Sequence, residues 1–171
     1  MKTIKIIVIL MMLLFFLLIG TTEVTKTNTI SETAAVKYTY YENARFGFSV
    51  EYPNSFTNVI ESANLDGITC TDKDKNEFKV WSGCNTLNYN VQQEINISKK
   101  TYENLKLTSE NIVSNSYVLT WQQNHNIIYQ YIIVGTYQIS GFQLTYAKRD
   151  SQKFEDIIKH ITESFNPQDT V

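Results

Sequence analysis

Hydrophobic and polar positions alternate clearly in residues 45–53, where Phe46, Phe48, Val50 and Tyr52 interleave with Gly47, Ser49 and Glu51. A period of two places one set of side chains on one face of a strand. The run therefore predicts a strand with one face in a core, ended by Pro53, which cannot donate to a sheet ladder. Residues 37–41 form a short aromatic strand before it, with Glu42-Asn43 as the intervening turn. Residues 56–61 extend as a further strand, and Asn64-Leu65-Asp66-Gly67 reads as a turn. Residues 68–71 and 77–81 then flank a hairpin loop with its tip at Asp74 and Lys75. The polar stretch 87–102 carries Tyr89, Val91, Ile95 and Tyr102 at spacings that suit a helix lying on the sheet.

Further along, Tyr117, Leu119 and Trp121 alternate, and residues 123–126 supply turn chemistry. Residues 127–134 are apolar at both parities apart from Gln130. A strand that is apolar on both faces must be covered on both faces, so this run calls for layers above and below the sheet. Gly135-Thr136 turns into residues 137–147, where Phe142, Leu144 and Tyr146 share a face. Finally Phe154, Ile157, Ile158, Ile161 and Phe165 recur at helical spacing, with Asp150 or Ser151 as N-cap and Pro167 just beyond the end. Together these elements predict an α+β fold, an antiparallel β-sheet flanked by helices.

The N-terminus reads as an address. Lys2 and Lys5 precede an unbroken apolar run over residues 6–19, the basic and hydrophobic regions of a secretory signal. At ~1.5 Å per helical residue the run spans about 20 Å, short of the ~30 Å hydrocarbon core of a bilayer. Residues 1–20 are thus expected to be a signal peptide or, if uncleaved, an N-terminal membrane anchor. No cysteine stands near the end of the run to accept a lipid. Residues 21–36 are a flexible polar spacer, too poor in apolar surface to offset ordering entropy, and residues 37–168 form the folded domain. The protein is expected outside the cytoplasm, secreted or held at the membrane by this segment alone.

Composition narrows the function classes. Apolar residues make up 43% and aromatic ones 13% of the 171 residues, enough for one sizeable core. The formal net charge is only −2, with both signs interspersed, so the chain carries no electrostatic footprint for nucleic acid.

The order of elements resembles the PsbP-like family over roughly residues 40–167. The likeness is carried by the strand Phe46-Gly47-Phe48-Ser49-Val50-Glu51-Tyr52-Pro53, Asp66-Gly67 before a hairpin, Gly83 closing it, and a last helix ending Glu163-Ser164-Phe165. It is strongest with the stand-alone PsbP-related proteins that prokaryotes export. The resemblance implies an α-β-α sandwich, and a fold more than a job, since most such relatives lack an assigned activity. Two departures stand out. Lys75 occupies a position where glycine would make a tighter turn after Asp74, and the leader is an ordinary secretory one, so the photosystem role of the family's namesake is not carried over.

Candidate chemistry is sparse. Cysteines in an exported chain are expected to pair, but the hairpin places Cys70 opposite Lys79 with Cys84 further along the strand. At ~3.3 Å per residue the offset is about 16 Å, far beyond the ~7 Å limit for a bridge, so no disulfide is expected. Neither thiol has a neighbouring histidine to activate it. Asp72, Asp74 and Asn76 stand at the first, third and fifth positions of a calcium loop and are weak metal-ligand candidates. That loop has Glu77 in place of its turn glycine and Gly83 in place of its bidentate glutamate, which favours a solvated hairpin tip.

His125 falls in a turn, and His160 lies near the end of the last helix, where a protonated ring would interact favourably with the dipole. No phosphate loop, nucleophile elbow or zinc motif is present in the sequence. No catalytic residue and no cofactor is therefore assigned. Trp81, Trp121 and the tyrosines are read as core or cross-strand pairs before a ligand-stacking face. The leading expectation is an exported non-catalytic PsbP-like binding or accessory protein with an unknown protein partner at the cell surface. The alternatives are a secreted or surface enzyme with a site assembled from sequence-distant residues, and a divalent-cation-binding domain.

Overall fold

In the computed structural model, the chain is described over residues 35–168. The expected leader at 1–20 and residues 21–34 of the expected spacer lie outside the described residues. Strands β1 (Tyr38–Glu42) and β2 (Ser49–Pro53) pair antiparallel as a separate two-stranded sheet. Strands β3 (Asn58–Glu61), β4 (Gly67–Thr71), β5 (Glu77–Cys84), β6 (Lys106–Val113), β7 (Ser116–Gln123), β8 (Asn126–Val134) and β9 (Gln138–Ala147) build the main sheet. Its order is β3-β4-β5-β9-β8-β7-β6, antiparallel throughout. Helix α1 (Val91–Thr101) follows β5, and α2 (Ser151–Ser164) closes the described chain. The architecture is α+β, an antiparallel sheet with a helix on each face.

Two cores follow from the two-faced pattern of β8. Ile127, Tyr129, Tyr131 and Ile133 join a cluster with Phe78, Phe142, Leu144 and the α2 residues Phe154, Ile157 and Ile161. Phe48, Val50 and Tyr52 complete that cluster from the small sheet. Ile128, Ile132 and Val134 point the other way and pack with Tyr117, Leu119, Trp121 and Ile95 of α1. Both sides of the strand are covered, as its apolar composition demands.

Several expectations need correction. The run at 45–53 is strand only from Ser49, and it lies in the covering layer with α2, outside the main sheet. Phe46 and Gly47 belong to the preceding turn, where Gly47 has φ +74, a conformation that glycine adopts without a Cβ clash. That turn is held by Asn43, 2% exposed, whose Oδ1 accepts from the backbone N–H of Arg45 and Phe46. Its Nδ2 donates to Leu65 O and Tyr41 Oη, both at 3.0 Å, tying the turn to the chain before β4.

The β4–β5 hairpin closes on a loop over residues 72–76 centred at Asp74, with Lys75 at φ +67. This odd-length loop places Cys70 opposite Phe78, one residue from the expected register. β5 runs on through Gly83 to Cys84, paired with β9, so Gly83 does not close the hairpin. The third strand begins at Asn58, leaving buried Phe56 in a loop. Strand β6, at the sheet edge, was not expected at all. Asp150 is the N-cap of α2 but makes no side-chain capping bond, and Ser151 Oγ donates to Lys148 O instead.

Helix α1 begins with a reciprocal capping box: Gln93 N–H donates to Asn90 Oδ1, and Asn90 N–H donates to Gln93 Oε1. It packs against β7 and β8. On the same face of β5, Lys79 and Trp81 remain half-buried, as does Thr69 of β4. The helix thus covers one half of this face and leaves the other half open.

Candidate functional site

At the boundary between the covered and open halves, three polar side chains stand in a row across the sheet. Gln130 of β8 is the cross-strand partner of Gln143 of β9, which is the partner of Lys79 of β5. Period-two alternation sends all three to the α1 side. The last turn of α1 faces them with Ser98, Thr101 and, at the C-cap, Tyr102. With Trp81 beside Lys79, these residues enclose a groove of about 280 Å³.

Most of the polar groups around the groove are held in place. Tyr102 Oη donates to Gln143 Oε1 at 2.7 Å, and its ring packs on Trp121 with centroids 4.6 Å apart. Ser98 Oγ and Tyr117 Oη share a buried hydrogen bond of 2.9 Å. Burial pushes the Tyr117 hydroxyl up to about 12, against the lowering effect of that bond. Lys79 Nζ pairs with Glu77 Oε1 at 2.8 Å on the partly exposed surface. Gln130 is the exception: the residue is 7% exposed, and among the described residues no group meets its Oε1.

Trp81 supplies the flat wall. Its cross-strand partners are Gly67 on β4 and Gly141 on β9, so neither adjacent strand sets a side chain of its own beside the indole, and Ile132 of β8 reaches over Gly141. A Cβ at Gly141 would come within 2.4 Å of Ile132 Cδ1, so the glycine makes room for Ile132 beside Trp81. Across Trp81 and Lys79 lies a second concavity of about 210 Å³, floored by Gly67 and Thr69 and rimmed by Ser62 and Asp66. A larger concavity of about 550 Å³ lies where the β5–α1, β6–β7 and β8–β9 connections meet. Its central side chain, Asn85, is occupied structurally: Oδ1 accepts from Tyr89 N–H, and Nδ2 donates to Tyr89 O and Gly135 O.

The residues singled out by sequence lie elsewhere. Asp72, Asp74 and Asn76 share the hairpin loop, where the Asp72 carboxylate accepts from Asp74 N–H, Asn76 N–H and Asn76 Nδ2 at 2.8–2.9 Å. Among the described residues, no three His, Cys, Asp or Glu side chains are grouped to hold a metal. Cys70 and Cys84 are both free, the first buried and the second exposed. Burial pushes the Cys70 thiol up to about 11 against a hydrogen bond with Tyr52, so it is a poor nucleophile. His160 faces β2: Nε2 lies 2.7 Å from Glu51 Oε2, and the ring stacks on Tyr38 at 3.5 Å. His125 stays in the exposed β7–β8 turn. Sequence reasoning assigned no role to Gln130 or Gln143. The available signal was Gln130 itself, the single polar residue in an otherwise apolar run.

No family model and no curated protein matches this chain. Among solved structures, the solution structure of cyanobacterial PsbP (CyanoP) from Synechocystis sp. PCC 6803 is similar, with a TM-score of 0.61 at 10% sequence identity. The match covers 80% of this chain and 95% of the cyanobacterial one. At that identity the likeness is one of fold: this chain folds as a PsbP-like domain.

Proposed function

We propose that this protein is an exported, non-catalytic PsbP-like accessory protein that binds a partner outside the cytoplasm through the open half of the α1 face. The carrying observation is the groove beside α1, where the sheet continues past its covering helix and presents a half-buried tryptophan among hydrogen-bonding side chains. Amides, hydroxyls and an indole are recognition chemistry. The charged wall residue, Lys79, is already paired with Glu77. The likeness in fold to cyanobacterial PsbP and the basic-apolar N-terminal pattern support the reading of an exported accessory protein.

A photo-crosslinking residue placed at position 79 in the native host, with position 155 on the exposed side of α2 as control, tests this. The expected result is a discrete adduct from position 79 and none from position 155, in protein recovered outside the cytoplasm. Equal labelling from both positions, or a cytoplasmic pool with its leader intact, would contradict it.

A further inference from the structure

Resting on the reading of the groove as a recognition surface, we propose that it binds a planar amide, a group presenting an N–H donor and a carbonyl acceptor in one plane. Buried polar atoms are nearly always paired, yet Gln130, which lines the groove, has a buried Oε1 with no partner among the described residues. Its neighbour Gln143 receives the Tyr102 hydroxyl on Oε1, which directs the amide nitrogen to a different acceptor. Two adjacent carboxamides, one lacking a donor and the other holding donors, are complementary to an amide ligand.

The remaining walls fit the same class. The Trp81 indole, half-buried in the wall of the groove, gives a flat group an aromatic surface to stack on. Lys79 is neutralised by Glu77, which favours an uncharged ligand over an anion. The groove, about 280 Å³, is just below the ~300–1,000 Å³ of pockets for drug-sized ligands, so it suits one ring or one side chain. Two sources carry this chemistry: a free heterocyclic amide, and the asparagine or glutamine side chain of a peptide.

The test is a titration of the ¹⁵N-labelled protein with nicotinamide and, separately, with Nα-acetyl-glutaminamide. Each is taken to about 20 mM, enough to saturate a millimolar site. The expected result is a saturable shift of the Trp81 indole N–H and the Gln130 and Gln143 side-chain amides. Methyl nicotinate, which lacks the donor, should bind about tenfold more weakly or worse, because Gln130 Oε1 stays unpaired. Gln130→Leu should remove the saturation, with Gln130→Met as the second variant if the first does not fold. A response to nicotinamide alone assigns a free ring amide, and a response to the peptide probe alone assigns a partner's side chain. No saturable shift with either probe, or a response unchanged in the variants, overturns the proposal. Crosslinks from position 79 together with silent probes would reject the amide ligand while leaving the partner-binding surface standing.

Discussion

Gln130 and Cys70 show how burial sets chemistry one side chain at a time. Cys70 is shielded between the sheet and β2, and its raised thiol pKa keeps it protonated at neutral pH. Native protein treated with iodoacetamide should therefore take up one label, at Cys84, and a second only in denaturant. Two labels in the native state would place Cys70 in solvent. Tyr117 and Tyr129 carry hydroxyls pushed up by burial to about 12, from an ordinary value of 10.0. The unfolded chain loses those protons first, so stability is fully present below pH 10 and declines as pH rises toward 12. Denaturant midpoints measured across that window should fall, and a midpoint that rises would contradict the burial of both rings. The free thiols were legible in the sequence because strand spacing separates them in either register. The roles of Gln130 and Gln143 were not legible, because a glutamine within a strand acquires meaning only from what lies across from it.

At the level of elements, legibility tracked apolar periodicity. The helix at Ser151–Ser164 and the strands around Trp121, Ile128 and Phe142 bury a regular stripe and were predicted close to their observed bounds. Strand β6 buries none of its residues: Lys106–Val113 is exposed throughout and is strand because β7 offers it a ladder. Nothing in its own pattern announces that pairing. The hairpin loop after β4 was located correctly, but its register depended on whether the loop is even or odd in length. A one-residue change moves every opposed pair.

That loop also bears on the cation reading. The Asp72 carboxylate already accepts three hydrogen bonds from its own loop, and a cation would have to displace them. Millimolar calcium should leave the thermal midpoint unchanged, whereas a rise that grows with calcium concentration would establish binding to the folded state.

On the scale of the whole molecule, the main sheet is sealed on one face by α2 and the β1–β2 layer and only half sealed on the other by α1. The sandwich was readable from the two-faced strand β8, because water cannot be tolerated against either of its apolar sets. The position of the gap was not, since it depends on how far an eleven-residue helix reaches across a seven-stranded sheet. A protein selected for stability alone would fill that gap with apolar side chains. This one keeps there a buried glutamine whose Oε1 has no partner among the described residues, at a penalty of about 1–3 kcal/mol for the unsatisfied atom. Retention of such a group fits a site whose stability is sacrificed for recognition.

The thermal midpoint of Gln130→Leu against the parent, without ligand, tests that claim most directly. Replacing the amide, with its unsatisfied Oε1, by an apolar side chain of similar volume should raise the midpoint by a few degrees. A fall of several degrees would show that Gln130 serves the fold, and the groove would lose its claim to be a binding site.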